Sequence, residues 1–185
     1  MLMAWVSPGP AAPLYQIDQR YGTVEFSVST LGMFDVEGRF PKFEGHLMLD
    51  PEHPEGTRID VAISADAVEM PLPDQVELLR SAAYFDTVNH PVEHFASTAI
   101  RVISPSHYVI QGTLQIRGVT QPQLLDAVLK ERHLDQKTGV ETADFVVTGE
   151  IKRSAFGMVA DRTMLSDSVH LRIRIRLALS PAANG

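Results

Sequence analysis

The sequence predicts an all-β protein, an extended eight-stranded antiparallel barrel with one short helix. Three observations carry that prediction. Apolar and polar residues alternate with period two in segment after segment. Glycine, proline and other turn residues separate these segments at regular spacing. The alternating segments are also long, which favours a closed barrel, because closure removes exposed strand edges. The stretch VHLRIRIRLAL at 169–179 shows the pattern: Val169, Leu171, Ile173, Ile175, Leu177 and Leu179 share one face, and His170, Arg172, Arg174 and Arg176 the other. The apolar face looks either at a solid core or at the wall of a cavity.

The elements follow in order. Residues 1–13, MLMAWVSPGPAAP, read as a disordered or loosely attached leader, residues 14–180 as the barrel and 181–185 as a tail. The first strand is GTVEFSVST, with Val24, Phe26 and Val28 inward. The second, residues 36–49, changes apolar parity midway, from Val36, Gly38 and Phe40 to Phe43, Gly45, Leu47 and Leu49. A change of parity means an extra residue, which places a bulge or bend near Pro41-Lys42. The third strand, RIDVAISAD, turns Ile59, Val61 and Ile63 inward. PDQVELLRSAAYFD at 73–86 breaks the alternation. It opens on Pro and Asp and spaces its apolar residues at helical intervals, so it predicts the one helix. Strand four runs from about His90 to Val102, and strand five, HYVIQGTLQIRG, holds Leu114 and Ile116 inward. QLLDAVLKER is read as strand six, although its pattern also suits a helix. ADFVVTGEIKR is strand seven, with Phe145, Val147, Gly149 and Ile151 inward, and the 169–179 stretch is strand eight. A barrel of eight strands is just wide enough for side chains or one small ligand. Inward glycines at 38, 45, 112 and 149 would leave part of that interior unfilled.

Composition bounds the function. The chain has 185 residues, 44% apolar and 21% charged, which suits one soluble-type globular domain able to bury a core. A net charge of −7 opposes nucleic-acid backbones and anionic membranes, and Arg172, Arg174 and Arg176 lack the interleaved aromatics of a single-strand binding surface. Cysteine is absent, which removes disulfides, thiolate chemistry and Cys-ligated metals. No apolar run approaches the roughly 18 residues of a membrane span. The first 13 residues lack a positive start and an unbroken apolar stretch, so they do not read as a secretory signal, which favours a cytoplasmic setting.

Signatures of catalysis are mostly absent: no GxGxxG, Walker loop, GxSxG or HExxH occurs. His90 and His94 have a metal-ligand spacing only if helical, and Pro91 opposes a helix there. Asp161 and Asp167 suit turn chemistry better than acid–base work. Arg153 continues the inward parity of strand seven, so it needs an anionic partner at a barrel mouth, either a protein carboxylate or a ligand head group.

Several stretches then occur together in one order: YQID at 15–18, FSVSTLG at 26–32, GRFPKFEG at 38–45, LLRSAAYFDTVNHP at 78–91, FAST at 95–98, GTLQIRGVTQP at 112–122, RSAFGM at 153–158 and LSDSV at 165–169. In these the sequence resembles the YceI-like family of lipocalin-like lipid-binding barrels. The resemblance implies a non-enzymatic carrier or store of a long amphiphile: a polyisoprenoid, a polyprenyl quinone or phosphate, or a fatty-acid-like chain. It also implies a homodimer, and points to the periplasm. Where the family often has His and Thr, this chain has Thr30 and Met70, which implies a more apolar ligand.

On this reading no cofactor is needed beyond the bound lipid. The tube wall would come from Phe26, Val28, Phe40, Phe43, Leu47, Phe95, Leu114, Ile116, Phe145, Val147 and Ile173. Phe85, Phe156 and Met158 would close it from the helix and a loop, and Arg153 would meet the head group. Two rivals are an enzyme acting on a lipid-like substrate through His90, His94 or Asp161, and a packed barrel that serves protein–protein interaction.

Overall fold

The computed structural model describes residues 14–17, 19–48, 54–134, 136–137 and 139–179. The expected leader and tail, and Leu49, lie outside these residues. Among the described residues there are ten strands: β1 Leu14–Ile17, β2 Thr23–Thr30, β3 Phe34–Phe40, β4 Phe43–Met48, β5 Arg58–Ser64, β6 Val92–Ser104, β7 His107–Ile116, β8 Val119–Leu134, β9 Glu141–Lys152 and β10 Leu165–Leu179. One α-helix, α1, spans Pro73–Arg80.

All pairings between neighbouring strands are antiparallel, and the sheet curls round on itself. The long β10 makes the closure. Its Leu165–Arg174 part pairs with β2, and its last residues pair with β1, Ile17 opposite Leu177. β1 in turn pairs with β4, and β2 with β3. β1 and β2 therefore act as one interrupted stave, and β3 and β4 as another, bent at Pro41-Lys42 where the parity changes. Ten strands make eight staves, which reconciles the count with the sequence expectation. β1 is too short to carry a period-two signal of its own, so it escapes detection.

The helix is shorter than its sequence pattern. It ends at Ser81, which is extended at φ −65° and ψ 164°, and residues 81–89 continue as turns. The ambiguous QLLDAVLKER lies inside β8, with Leu125 and Ala127 buried, because β7 and β9 pair with it on both sides. Tertiary pairing decides what local pattern leaves open. Arg153 is not the last residue of a strand but the first of a 3-10 turn, Arg153–Phe156.

The outer face of β10 is charged as expected. Arg174 holds Glu25 on β2 at 2.6 Å, and Arg176 grips Asp144 on β9 through two 2.6 Å bonds while lying over the Tyr21 ring. Such cross-strand pairs fix register more than they add stability.

Candidate functional site

Inside the barrel the buried residues form two packed clusters. One centres on Phe95, Leu114, Leu125, Val147, Phe156 and Met158; the other on Val24, Phe26, Phe40, Phe43 and Val68. Phe85, Val169, Leu171 and Ile173 touch both. Between them lies a cavity of about 290 Å³. The odd residues of the β10 stretch from Val169 to Ile175 line it, which answers the question of what that face meets. Leu177 is buried beyond it.

Most of the expected wall is in place: Phe26, Val28, Phe40, Phe43, Phe95, Leu114, Ile116, Val147 and Ile173 line the cavity, with Phe85 and Met158 from the closing loops. Three others lie off the cavity wall. Leu47 is buried but sits outside the cavity wall, in the part of the barrel where β4 meets β1. Phe145 packs edge-on against Tyr108, with ring centroids 6.1 Å apart, and does not reach the cavity. Phe156 is deep in its packed cluster, behind the wall. Period-two parity separates inside from outside, but it cannot give height along the barrel axis. Phe85 also lies beyond α1, in the turns that follow it, where it meets Phe26 and Phe40 at ring-centroid distances of 6.5 and 5.4 Å.

The inward glycines do not make the cavity. A Cβ on Gly38 would run into the Phe26 ring and the Met70 sulfur, and one on Gly112 into the Phe95 ring and the Ala96 carbonyl oxygen. These glycines admit neighbouring side chains and strands. The space comes instead from barrel radius and from wall residues that stop short of the axis.

Arg153 is 3% exposed and lines the cavity, but its guanidinium is spent on the backbone. Its Nε donates to the Ser166 carbonyl at 2.8 Å, Nη1 to those of Met158 at 2.9 Å and Ala160 at 2.6 Å, and Nη2 to that of Leu165 at 3.1 Å. These bonds tie the loop at 157–164 and the start of β10 to Arg153. Its partners are backbone carbonyls, which parity alone could not show.

Neighbouring side chains secure the same end. The Arg117 guanidinium donates to the carbonyls of Ala82 and Gly157, both at 2.9 Å. The Tyr84 hydroxyl donates to Asp161 at 2.6 Å; burial, and then that bond, push its pKa up to about 12. Asp167 accepts the Ser154 backbone and hydroxyl, bonds that hold its carboxyl below the usual range. Asp161 and Asp167 thus tie loops together. His94 lies on the outer face of β6, and His90 sits against Gly118 in the turn before that strand. Neither histidine lines the cavity.

α1 carries the cavity wall towards the surface. Leu78 lines the cavity and is also 48% exposed. Met70 lines it too, and so gives the wall an apolar surface where the family resemblance leads one to expect Thr. Thr30 keeps a buried hydroxyl with no partner.

The sequence reading misses one residue of consequence. Glu93 is 3% exposed and lines the cavity. Burial pushes its carboxyl up to about 7, against the pull of the Arg117 backbone N–H, which donates to both its oxygens at 3.0 and 3.3 Å. Its signal was available: Glu93 has the parity of Phe95 on the same strand, so it had to point inward.

Residues 15–177 match the family model described as the YceI-like domain. The chain belongs to the YceI-like family. Among its YceI-like relatives is a UPF0312 protein of Pectobacterium carotovorum, 30% identical over 163 residues, covering 87% of this chain and 84% of the relative. Among solved structures, BcnA of Burkholderia cenocepacia superposes with a TM-score of 0.77 at 21% identity, covering 86% of this chain and 98% of BcnA. A polyisoprenoid-binding domain from Saccharophagus degradans superposes with a TM-score of 0.63 at 14% identity, covering 90% and 98%. These likenesses establish the lipocalin-like YceI barrel. No helix among the described residues is long and apolar enough to cross a membrane.

Proposed function

We propose that this protein is a binding protein, not an enzyme, and that it holds a long apolar chain of isoprenoid type inside the barrel. The observation that carries the reading is the cavity: about 290 Å³, walled mainly by apolar side chains, and reaching the half-exposed Leu78 on α1. Water takes ~30 Å³ per molecule in the liquid, and a methylene is of similar size, so the cavity has room for a chain on the order of ten carbons before any side chain moves. Burial would supply about 0.8 kcal/mol per methylene, so binding selects length and shape before chemistry. The family and the polyisoprenoid-binding neighbour support the same class of ligand. Storage or transport is the role such binding serves, and a homodimer is the assembly carried forward from the family resemblance.

Ile173 stands on β10 midway along the cavity wall. Ile173→Trp should fill the space and weaken binding of a C15 isoprenoid at least tenfold, measured by displacement of an apolar fluorescent probe. The stability loss should stay near the ~1–3 kcal/mol of an overpacked site. Unchanged binding would place the chain elsewhere.

A further inference from the structure

Few polar groups face the cavity, and most are already used. The Tyr84 hydroxyl donates to Asp161, the Gln123 amide donates to the carbonyls of Leu124 and Glu150, and Arg153 donates to four carbonyls. Capacity remains on Gln75 and Glu93. The Gln75 Oε1, on the helix, is buried without a partner. Glu93, in the wall, receives one backbone N–H where a carboxylate can accept about four bonds. Both are acceptors. The Arg117 guanidinium donates to the carbonyls of Ala82 and Gly157, so its charge draws on the Glu93 carboxyl without forming an ion pair with it.

The reason Glu93 holds its place is local. Arg117-Gly118 is the two-residue turn between β7 and β8, with φ of 53° and 72°. Such a turn leaves an N–H unpaired within the hairpin, and Glu93 accepts it. The carboxyl is thereby fixed among apolar neighbours that also line the cavity, Ile63 on the adjacent strand and Phe95 on its own. An acceptor held in a dry wall discriminates by what it leaves unpaired: a ligand bearing a donor satisfies it, while a carboxylate or phosphate brings a second acceptor and like charge.

We infer that Glu93 is a specificity-determining residue of the lipid cavity, and that the ligand it selects is a long-chain alcohol, whose hydroxyl donates to this carboxyl, over the corresponding acid or phosphate. The inference rests on the cavity reading above and adds the chemistry of the ligand's polar end. It also removes the role that an inward arginine would have given to an anionic head group.

The test compares farnesol, farnesoic acid and the hydrocarbon farnesene on the intact protein at pH 8, by displacement of N-phenyl-1-naphthylamine. Farnesol should bind at least tenfold tighter than either. Glu93→Leu should reduce its advantage over farnesene to under about twofold. Glu93→Gln keeps an acceptor for both the Arg117 N–H and the hydroxyl, so it should retain farnesol and gain affinity for farnesoic acid. Thermal melts of both variants separate ligand choice from folding, since a purely structural role would change stability and leave the ratios alone. If farnesene and farnesol bind alike in the wild type, or Glu93→Leu leaves the ratio unchanged, the Glu93 assignment falls and the cavity stands. If none of the three, nor the dye, binds at all, the cavity reading falls with it.

Discussion

At the scale of single residues, two buried charges do opposite things. Arg153 holds four carbonyls, two in the loop before β10 and two at the start of β10, and nothing apolar can replace those bonds. Arg153→Met should therefore cost at least ~3 kcal/mol in urea denaturation, because it strands buried acceptors as well as losing charge-assisted bonds. Glu93 is the reverse case, since the fold disfavours its charged form. Its folded pKa, about 7, lies above the ordinary value of 4.5 expected for the unfolded chain. Its stabilising contribution is then complete below pH 4.5 and is lost as pH rises through about 7. Unfolding free energy should fall between pH 5 and pH 8 by on the order of 3 kcal/mol, and Glu93→Gln should flatten that slope. A stability that rises over the same range, or a slope unaffected by the substitution, would show that the carboxyl is solvated. The inward direction of both side chains was legible from parity. What each one bonds was not, because the partners are backbone groups brought in from distant turns.

At the scale of elements, parity served well wherever a strand has one buried face. The switch between Phe40 and Phe43 located the bend that splits one stave into β3 and β4. The alternation at 169–176 sorted cavity-facing residues from outward arginines. It failed where length or context decides. β1 is only four residues, and α1 stops at Arg80 although Tyr84 and Phe85 continue a plausible apolar spacing. The inward glycines mark close approach of neighbours, and their substitution should be graded by what they meet. Gly112→Ala drives a Cβ to 2.5 Å from the Ala96 carbonyl, which is backbone and cannot yield. It should cost more than ~2 kcal/mol, whereas Gly56→Ala, which meets nothing within 4 Å, should stay within ~0.5 kcal/mol. Chemical denaturation of the two variants checks the contrast, and equal effects would mean that the strand spacing adjusts freely.

At the scale of the whole molecule, the barrel is held as two packed clusters with a space between them, and one end is locked by Arg117, Arg153 and the Tyr84–Asp161 pair. That distribution explains how a barrel can keep an interior void and still be a stable fold. Packing and backbone bonds sit around the cavity, and the space between the clusters stays open. The sequence carried the barrel and the sign of each face, while the height of Leu47, Phe145 and Phe156 along the axis needed the three-dimensional closure through β1 and β10. The most direct test is mass spectrometry of the purified protein, first native and then after organic extraction. A long-chain lipid in near-stoichiometric amount, or its uptake when isoprenoid chains are added, is the expected result. A protein that is empty and refuses such chains would contradict it.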